Sequence, residues 1–123
     1  IFDSRIFDAT TIATGSADVA FNRISAQIFV PSAQSAVTLQ FAGADAAGGS
    51  CDAASYVFVG PDGTGNTAYA SSNGTSITGA LPFSDDGTGY ENPARCFRYR
   101  VNLVTGDATL TPIVNDVSVT LSP

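Results

Sequence analysis

Apolar and polar residues alternate along four segments of this 123-residue chain: residues 24–30, 37–41, 97–103 and 117–121. A period of two places successive side chains on opposite faces of a sheet, so each segment predicts a β-strand. The apolar run 56–59, the turn residues 60–63 and the segment 67–70 together predict a β-hairpin. Shorter strands are predicted around Ile6 and Ile77.

Seven or eight short strands separated by turns predict an all-β, single-domain antiparallel β-sandwich, with a jelly roll as the leading architecture. Helix formers are scarce, because the chain has one Glu and neither Lys nor Met. No internal repeat or linker divides residues 1–123, so we expect one domain. The Gly-rich polar stretches 42–55 and 84–94 predict surface loops.

The residue types that are missing exclude several kinds of chemistry. Without His, the chain lacks a Ser-His-Asp triad and an ordinary zinc site, and without Lys it lacks a Schiff base. Residues 60–67 match the spacing of a phosphate-binding loop, but Asn66 stands where that loop needs Lys, and a strand is expected to follow instead of a helix. We therefore expect a tight turn there, and a protein that is not an enzyme.

Charge and hydropathy narrow the partners further. The net charge of -6 opposes nucleic-acid binding, which depends on Lys and Arg. No run of 18 apolar residues is present, so we expect no membrane contact by this segment itself. The sequence begins with Ile and contains no Met, from which we expect a processed or truncated N-terminus, with a signal or an anchor as the candidates for the missing piece.

The two cysteines, Cys51 and Cys96, lie 45 residues apart, a separation that fits neither a redox CxxC motif nor a metal knuckle. One disulfide is the simpler interpretation and indicates an extracellular or cell-surface location. The alternative is a pair of buried free thiols in a cytosolic protein, which the Lys-free, Ser/Thr-rich composition disfavours.

Acidic loops raise the question of a structural calcium ion, because calcium takes six to eight oxygen ligands from flexible loops. The candidate ligands are Asp85, Asp86 and Glu91, although their spacing is not that of an EF-hand. Solvated surface charge is the alternative interpretation. We expect no other cofactor. Asn73 begins an Asn-Gly-Thr sequon and is a candidate glycosylation site.

Tyrosines and arginines supply the candidates for a ligand or glycan face, namely Tyr56, Tyr69, Tyr90, Tyr99, Arg98 and Arg100. Arg98 and Arg100 fall on one face of the predicted strand, opposite Phe97 and Tyr99. A guanidinium pair can bind carboxylates or stack on sugars and aromatic rings. The alternative is that these arginines neutralise nearby aspartates on an outer sheet face.

Three segments occur together in the order "SRIFDA", "FVGPDGTGNTAY" and "CFRYRVNLVTGDATLTPIVNDVSVTLSP". In this the chain resembles the jelly-roll-like β-sandwich domains of prokaryotic secreted, surface and pilin-like proteins. Those domains usually have Trp where this chain has Tyr56, and often Lys at the position of Arg100. The resemblance implies an extracellular sandwich, and its motifs mark strands and turns instead of an active site.

We therefore predict an extracellular non-enzymatic structural or adhesive module, a subunit or head domain of a cell-surface filament. Its partners would be copies of itself, other surface proteins or glycans. The alternative is a carbohydrate-binding module of a secreted protein. The apolar residues of segment 1–12 predict that it docks, either on its own sandwich or as a strand donated to a neighbour.

Overall fold

The computed structural model describes residues 2–9, 18–30, 36–71, 74–84, 89–104 and 112–122. These residues form antiparallel strands, as the alternating pattern predicts. The strands are β1 (Phe2–Asp3), β2 (Phe7–Asp8), β3 (Ala20–Phe29), β4 (Ala36–Ala44), β5 (Tyr69–Ala70), β6 (Ser76–Ala80), β7 (Cys96–Val104) and β8 (Ile113–Ser122). Among the described residues, no helix is long and apolar enough to cross a bilayer.

The strands form two sheets. One has the order β1–β7–β4–β5, with β2 pairing with β7 on the same side as β1. The other has the order β6–β3–β8. The prediction of two packed antiparallel sheets is thus confirmed at the level of fold class.

The core lies between the sheets, where the apolar residues of each alternating strand meet. Phe21 and Ile24 of β3 and Leu39 and Phe41 of β4 are fully buried. The Phe21 ring lies 5.2 Å from that of Phe41 and 5.0 Å from that of Phe97. Tilted and edge-on contacts of this kind add about 0.5–1.5 kcal/mol each to the apolar area that they bury. These rings hold the two sheets together.

The predicted hairpin between 56–59 and 67–70 is wrong. Both segments lie along the same edge of β4 instead, with Val59 opposite Phe41, and with Tyr69 and Ala70 opposite Leu39 and Thr38. The intervening turn is fixed from within, since the Asp62 carboxylate accepts hydrogen bonds from the hydroxyls of Thr64 (2.8 Å) and Thr67 (2.6 Å). The Gln40 amide also donates to the carbonyl of Thr67 at 2.8 Å. Side-chain hydrogen bonds, together with short-range backbone hydrogen bonds within residues 60–64, therefore close the turn, and no strand ladder of the described structure joins 56–59 to 67–70.

The sandwich is closed on the side where β5 and β6 meet. The Tyr69 hydroxyl donates to the Ala80 carbonyl at 2.7 Å, and the Tyr69 ring covers Gly79. A Cβ atom at Gly79 would lie 2.5 Å from that ring, so only glycine fits beneath it. This contact brings the two sheets together at one edge.

The N-terminal segment docks on its own sandwich, which is the first of the two alternatives considered above. β1 and β2 form a broken edge strand along β7, with Phe2 opposite Val101 and Phe7 opposite Phe97. Ser4 lies between them and is buried, its backbone N–H donating to the Tyr99 carbonyl at 2.9 Å. Ile1 and Ile12 lie outside the described residues.

The loop that precedes β7 is held by a buried amide. The Asn92 side chain is fully buried, accepts a hydrogen bond from the Phe21 N–H at 2.7 Å and donates to the Phe21 carbonyl at 2.8 Å. It also donates to the Pro82 carbonyl at 2.8 Å. One side chain thus ties the start of β3 to two loops. Burial of so polar a group requires that it be fully hydrogen-bonded.

Candidate interaction surface

Two of the four candidate tyrosines belong to the core and not to a ligand face. Tyr69 and Tyr90 are buried, and their hydroxyls donate to the carbonyls of Ala80 and Pro82, both at 2.7 Å. Burial raises the pKa of Tyr69 to about 12 and raises that of Tyr90 as well. The proposal of a sugar-binding face that includes these two rings is therefore corrected, because the rings fill space between the sheets.

The other two tyrosines lie on different sides of β7. Tyr56 is half-buried on the outer face, where its hydroxyl donates to the Cys51 carbonyl at 2.8 Å. Arg98 lies over its ring at 5.6 Å, and burial raises the pKa of this tyrosine. Tyr99 points into the space between the sheets, with its ring 6.4 Å from that of Phe7. No single face of the described structure contains all four rings.

Arg98 and Arg100 share the outer face of β7, as predicted, and both hold the N-terminal segment. Arg98 donates two hydrogen bonds to the Ser4 carbonyl, at 3.1 and 2.7 Å. Arg100 binds the Asp3 carboxylate in bidentate fashion, at 2.7 and 3.1 Å, and stacks 4.0 Å above the Phe58 ring. The hydrogen bonds of this pair lower the pKa of Asp3 and raise that of Arg100. Arg100 therefore neutralises a nearby aspartate, as the alternative interpretation proposed, whereas Arg98 binds a backbone carbonyl.

Beside Arg100 the outer face carries a shallow polar groove of about 270 Å³. Its floor comes from β4 and β7, and its wall from the turn that Asp62 closes. The lining side chains are hydroxyl, amide and guanidinium groups, contributed by Thr38, Gln40, Asn66, Thr67, Arg100 and Asn102. Such groups can bind the hydroxyls of a sugar.

The disulfide predicted between Cys51 and Cys96 is present, with the two Cα atoms 5.5 Å apart. Both cysteines are buried with Ala44 in a small apolar cluster that Tyr56 partly covers. The bond ties the loop after β4 to the first residue of β7. The alternative of two buried free thiols is therefore excluded.

Of the three candidate calcium ligands, the structure describes only Glu91. Glu91 is buried, and its Oε1 atom accepts no hydrogen bond. Asp85 and Asp86 lie outside the described residues, as does the sequon residue Asn73. Within the described part of the chain, no group of three or more acidic or cysteine side chains is placed to hold a metal ion.

Within the described part of the chain, nothing covers the side of the sandwich opposite the Tyr69–Gly79 contact. There β8 ends one sheet, β1 and β2 end the other, and an apolar groove runs between them. Its wider part, about 380 Å³, is lined by Phe2, Tyr99, Val101, Leu103, Val114, Asn115, Asp116 and Val117. Its narrower part, about 180 Å³, is lined by Phe7, Phe97, Tyr99, Val117, Val119 and Leu121. The groove exposes core-facing side chains that a further strand would cover, and we call it the open-side groove.

The exposure of the residues along the groove follows from the strand order. Phe2 is 58% exposed and Leu103 is 42% exposed, although both are large apolar residues. Val117, Val119 and Leu121 pack on the core from one side only and are half-buried. Alternation in the sequence identifies their common face, but it does not reveal that no strand of the described chain covers it.

Comparison with protein-family models, with curated proteins and with solved structures finds no match for this chain.

Proposed function

We propose that this protein is an extracellular, non-enzymatic structural or adhesive module, a subunit or head domain of a cell-surface filament. The observation that carries the proposal is the open-side groove, an apolar surface between two sheet edges of the described structure. Contiguous exposed apolar surface on a domain of this size is typical of an interaction site.

The energy available at the groove supports this role. Full burial of a large apolar side chain contributes about 1.5–3 kcal/mol relative to exposure. Phe2, which is 58% exposed, keeps more than half of that gain unrealised, Leu103 keeps somewhat less than half, and the half-buried side chains along β8 keep a smaller part. Covering them with a partner would therefore contribute a few kcal/mol toward association, to which other contacts of the partner would add.

The disulfide between Cys51 and Cys96 supports the proposed extracellular location. A buried disulfide is compatible with an oxidising environment, and disulfides persist mainly in secreted and surface proteins. A bond that closes a loop of 45 residues stabilises the fold by about 4 kcal/mol in the loop-entropy model. Such a cross-link suits a domain that is exposed outside the cell.

We further propose that the sandwich is a jelly roll. The chain crosses from one sheet to the other between β2 and β3, between β3 and β4, and at every connection from β5 to β8. Repeated crossing of this kind is typical of jelly rolls and Greek keys, and not of simple meanders.

A carbohydrate-binding module is the second candidate, and the polar groove beside Arg100 favours it. The guanidinium is fixed by Asp3 on one side and Phe58 on the other, so it is held ready for a polar ligand. Affinity electrophoresis in gels that contain soluble polysaccharides tests this function. Retardation that Asn102→Ala abolishes would favour sugar binding, and unchanged mobility in every gel would refute it.

Immunogold electron microscopy of intact and sectioned cells from the natural source tests the first proposal. We expect gold on surface filaments or on the outer envelope of intact cells. Label confined to the cytosol of sectioned cells would overturn the proposed function.

A further inference from the structure

We infer that the outer edge of β8 accepts an extended segment of a different chain, with apolar residues facing the open-side groove and a basic residue beside Asp116. This inference rests on the proposed function and specifies its partner. It follows from three independent features of the described structure, namely the length of the β8 edge, the spacing of its side chains, and the charge around it.

The first feature is the free backbone edge. Each sheet has two edges, and three of the four edges are made from short strands, with two residues each in β1, β2 and β5 and five in β6. β8 has ten residues, and among the residues that the structure describes it pairs with β3 alone. Proteins usually protect long edges with Lys, Pro or bulges, because an unpaired edge is a template for another strand.

β8 has little of that protection. It contains neither Lys nor Pro, and its single charged residue is Asp116. Its pairing with β3 is irregular at Asn115, next to which Ile28 pairs with Val114 and Gln27 with Asp116. From Asp116 to Thr120 the register with β3 is continuous. The regular part of the edge thus borders the narrower part of the groove, whereas the irregularity at Asn115 borders the wider part.

The second feature is the spacing of the side chains. Val117, Val119 and Leu121 occupy every second position of β8 and face Phe7 and Tyr99 across the narrower part of the groove. A strand added to this edge would place every second side chain in the groove, because residues directly opposite each other on paired strands point to the same face of the sheet. The new strand would gain backbone hydrogen bonds from β8 and apolar contacts from both sheets.

The third feature is charge. Among the described residues that line the groove, Asp116 is the only charged one, and the Arg5 guanidinium lies over the Phe7 ring on the opposite, β2 side. Its alternation with Val117 places it on the outer face of β8, where a cross-strand partner of opposite sign is favourable and one of like sign is unfavourable. A second copy of this chain would bring another net charge of -6 and another Asp116. Charge therefore favours a different, basic segment.

Fluorescence anisotropy with a labelled model peptide tests this inference on the full chain. The peptide has nine residues in which Thr alternates with Val, and Arg replaces the central Thr. We expect saturable binding that weakens at least tenfold in Val117→Lys. The control Thr120→Lys adds the same charge on the opposite face of β8 and should change the affinity less than threefold.

A charge exchange tests the basic residue separately. Asp116 is exposed, so Asp116→Lys should fold normally, which an unchanged melting temperature verifies. We expect this variant to bind the Arg peptide at least threefold more weakly than the parent, and to prefer a peptide with Glu in place of Arg. Equal affinity of the two peptides for both proteins would refute the basic partner.

Sedimentation velocity distinguishes failure of the inference from failure of the proposed function. If the protein alone forms dimers or filaments that Val117→Lys dissolves, the occupant is a second copy, which overturns the inference and leaves the proposed function standing. Absence of peptide binding, or equal binding to Val117→Lys and Thr120→Lys, also overturns the inference. The proposed function is tested separately, by the location that immunogold labelling shows.

Discussion

Replacement of Asn92 by Ala should destabilise the fold more than any exposed substitution, because this buried amide satisfies the backbone of a distant strand. The change would remove the acceptor for the Phe21 N–H and the donor to the Phe21 carbonyl. The Pro82 carbonyl would keep its hydrogen bond from the Tyr90 hydroxyl, at 2.7 Å. Two buried backbone groups would therefore lose their partners.

The magnitude follows from those two groups. Each buried group left without a partner costs about 1–3 kcal/mol. The variant should therefore lose about 2–6 kcal/mol in free energy of unfolding, which for a domain of this length lowers Tm by roughly 8–25 °C. Urea unfolding followed by circular dichroism measures the loss. The control is Asn22→Ala, which removes an exposed hydrogen bond to Ser122 and should cost at most about 0.5 kcal/mol.

A second substitution at the same position tests the sign of the argument. Asn92→Asp keeps an acceptor for the Phe21 N–H but places a carboxylate against the carbonyls of Phe21 and Pro82. Burial and these carbonyls raise the pKa of such a carboxyl in the folded state, so folding takes up a proton. The stability of this variant relative to the parent should increase as the pH falls toward 4. A loss under 1 kcal/mol in the Ala variant would contradict the role of the two hydrogen bonds between Asn92 and the Phe21 backbone. An Asp variant whose stability relative to the parent increases as the pH rises would contradict it as well.

Three further predictions concern other parts of the frame. The protein should take up no alkyl groups under denaturing, non-reducing conditions, and uptake of two alkyl groups before reduction would contradict the disulfide. Joint replacement of Cys51 and Cys96 by Ser should lower the free energy of unfolding by up to about 4 kcal/mol. The pKa of Asp3 lies below its ordinary value of 3.8 because Arg100 hydrogen-bonds its charged form, so its stabilising effect is complete above that value and is lost as the pH falls through the lowered pKa. Asp3→Asn should therefore flatten the decrease in Tm between pH 5 and pH 2, and an unchanged profile would disprove the role of the pair. Gly79→Ala should lower the free energy of unfolding, measured by thermal unfolding, by about 1–3 kcal/mol, because the new methyl group would overlap the Tyr69 ring. The control is Gly65→Ala, where the nearest atom to a new Cβ lies at 3.4 Å, and its loss of stability should be less than half as large.

The sequence predicts the long strands well and the connections between them poorly. Alternation of apolar residues located β3, β4, β7 and β8, because a half-buried strand imposes a period of two on its own residues. The segments 56–59 and 67–70 read as a hairpin since both are apolar and a turn separates them. Their common alignment along β4 depends on a hydrogen bond that the Asp62 carboxylate accepts and on one that the Gln40 amide donates, which no local pattern reveals.

The candidate site shows the same limit. Arg98 and Arg100 were correctly placed on one face, because strand alternation determines that relation. Tyr69 and Tyr90 were misplaced, since nothing in their neighbourhoods distinguishes a buried tyrosine from an exposed one. The importance of Asn92 was missed because its partner Phe21 is 71 residues away. The open-side groove depends on strand order, which the pattern of a single strand does not contain.

Amide hydrogen–deuterium exchange along residues 113–122 tests the central claim, that the open side of the sandwich is an interaction surface, most directly. The measurement compares the purified single chain with the protein isolated from its natural source without denaturation, using β3 as the internal reference. We expect that exchange along β8 is slowed at least tenfold in the protein isolated from its source and that β3 is protected in both samples. Equal, rapid exchange of β8 in the two samples would show that the open side is not an interaction surface, because an occupied edge must protect its outward-facing amides.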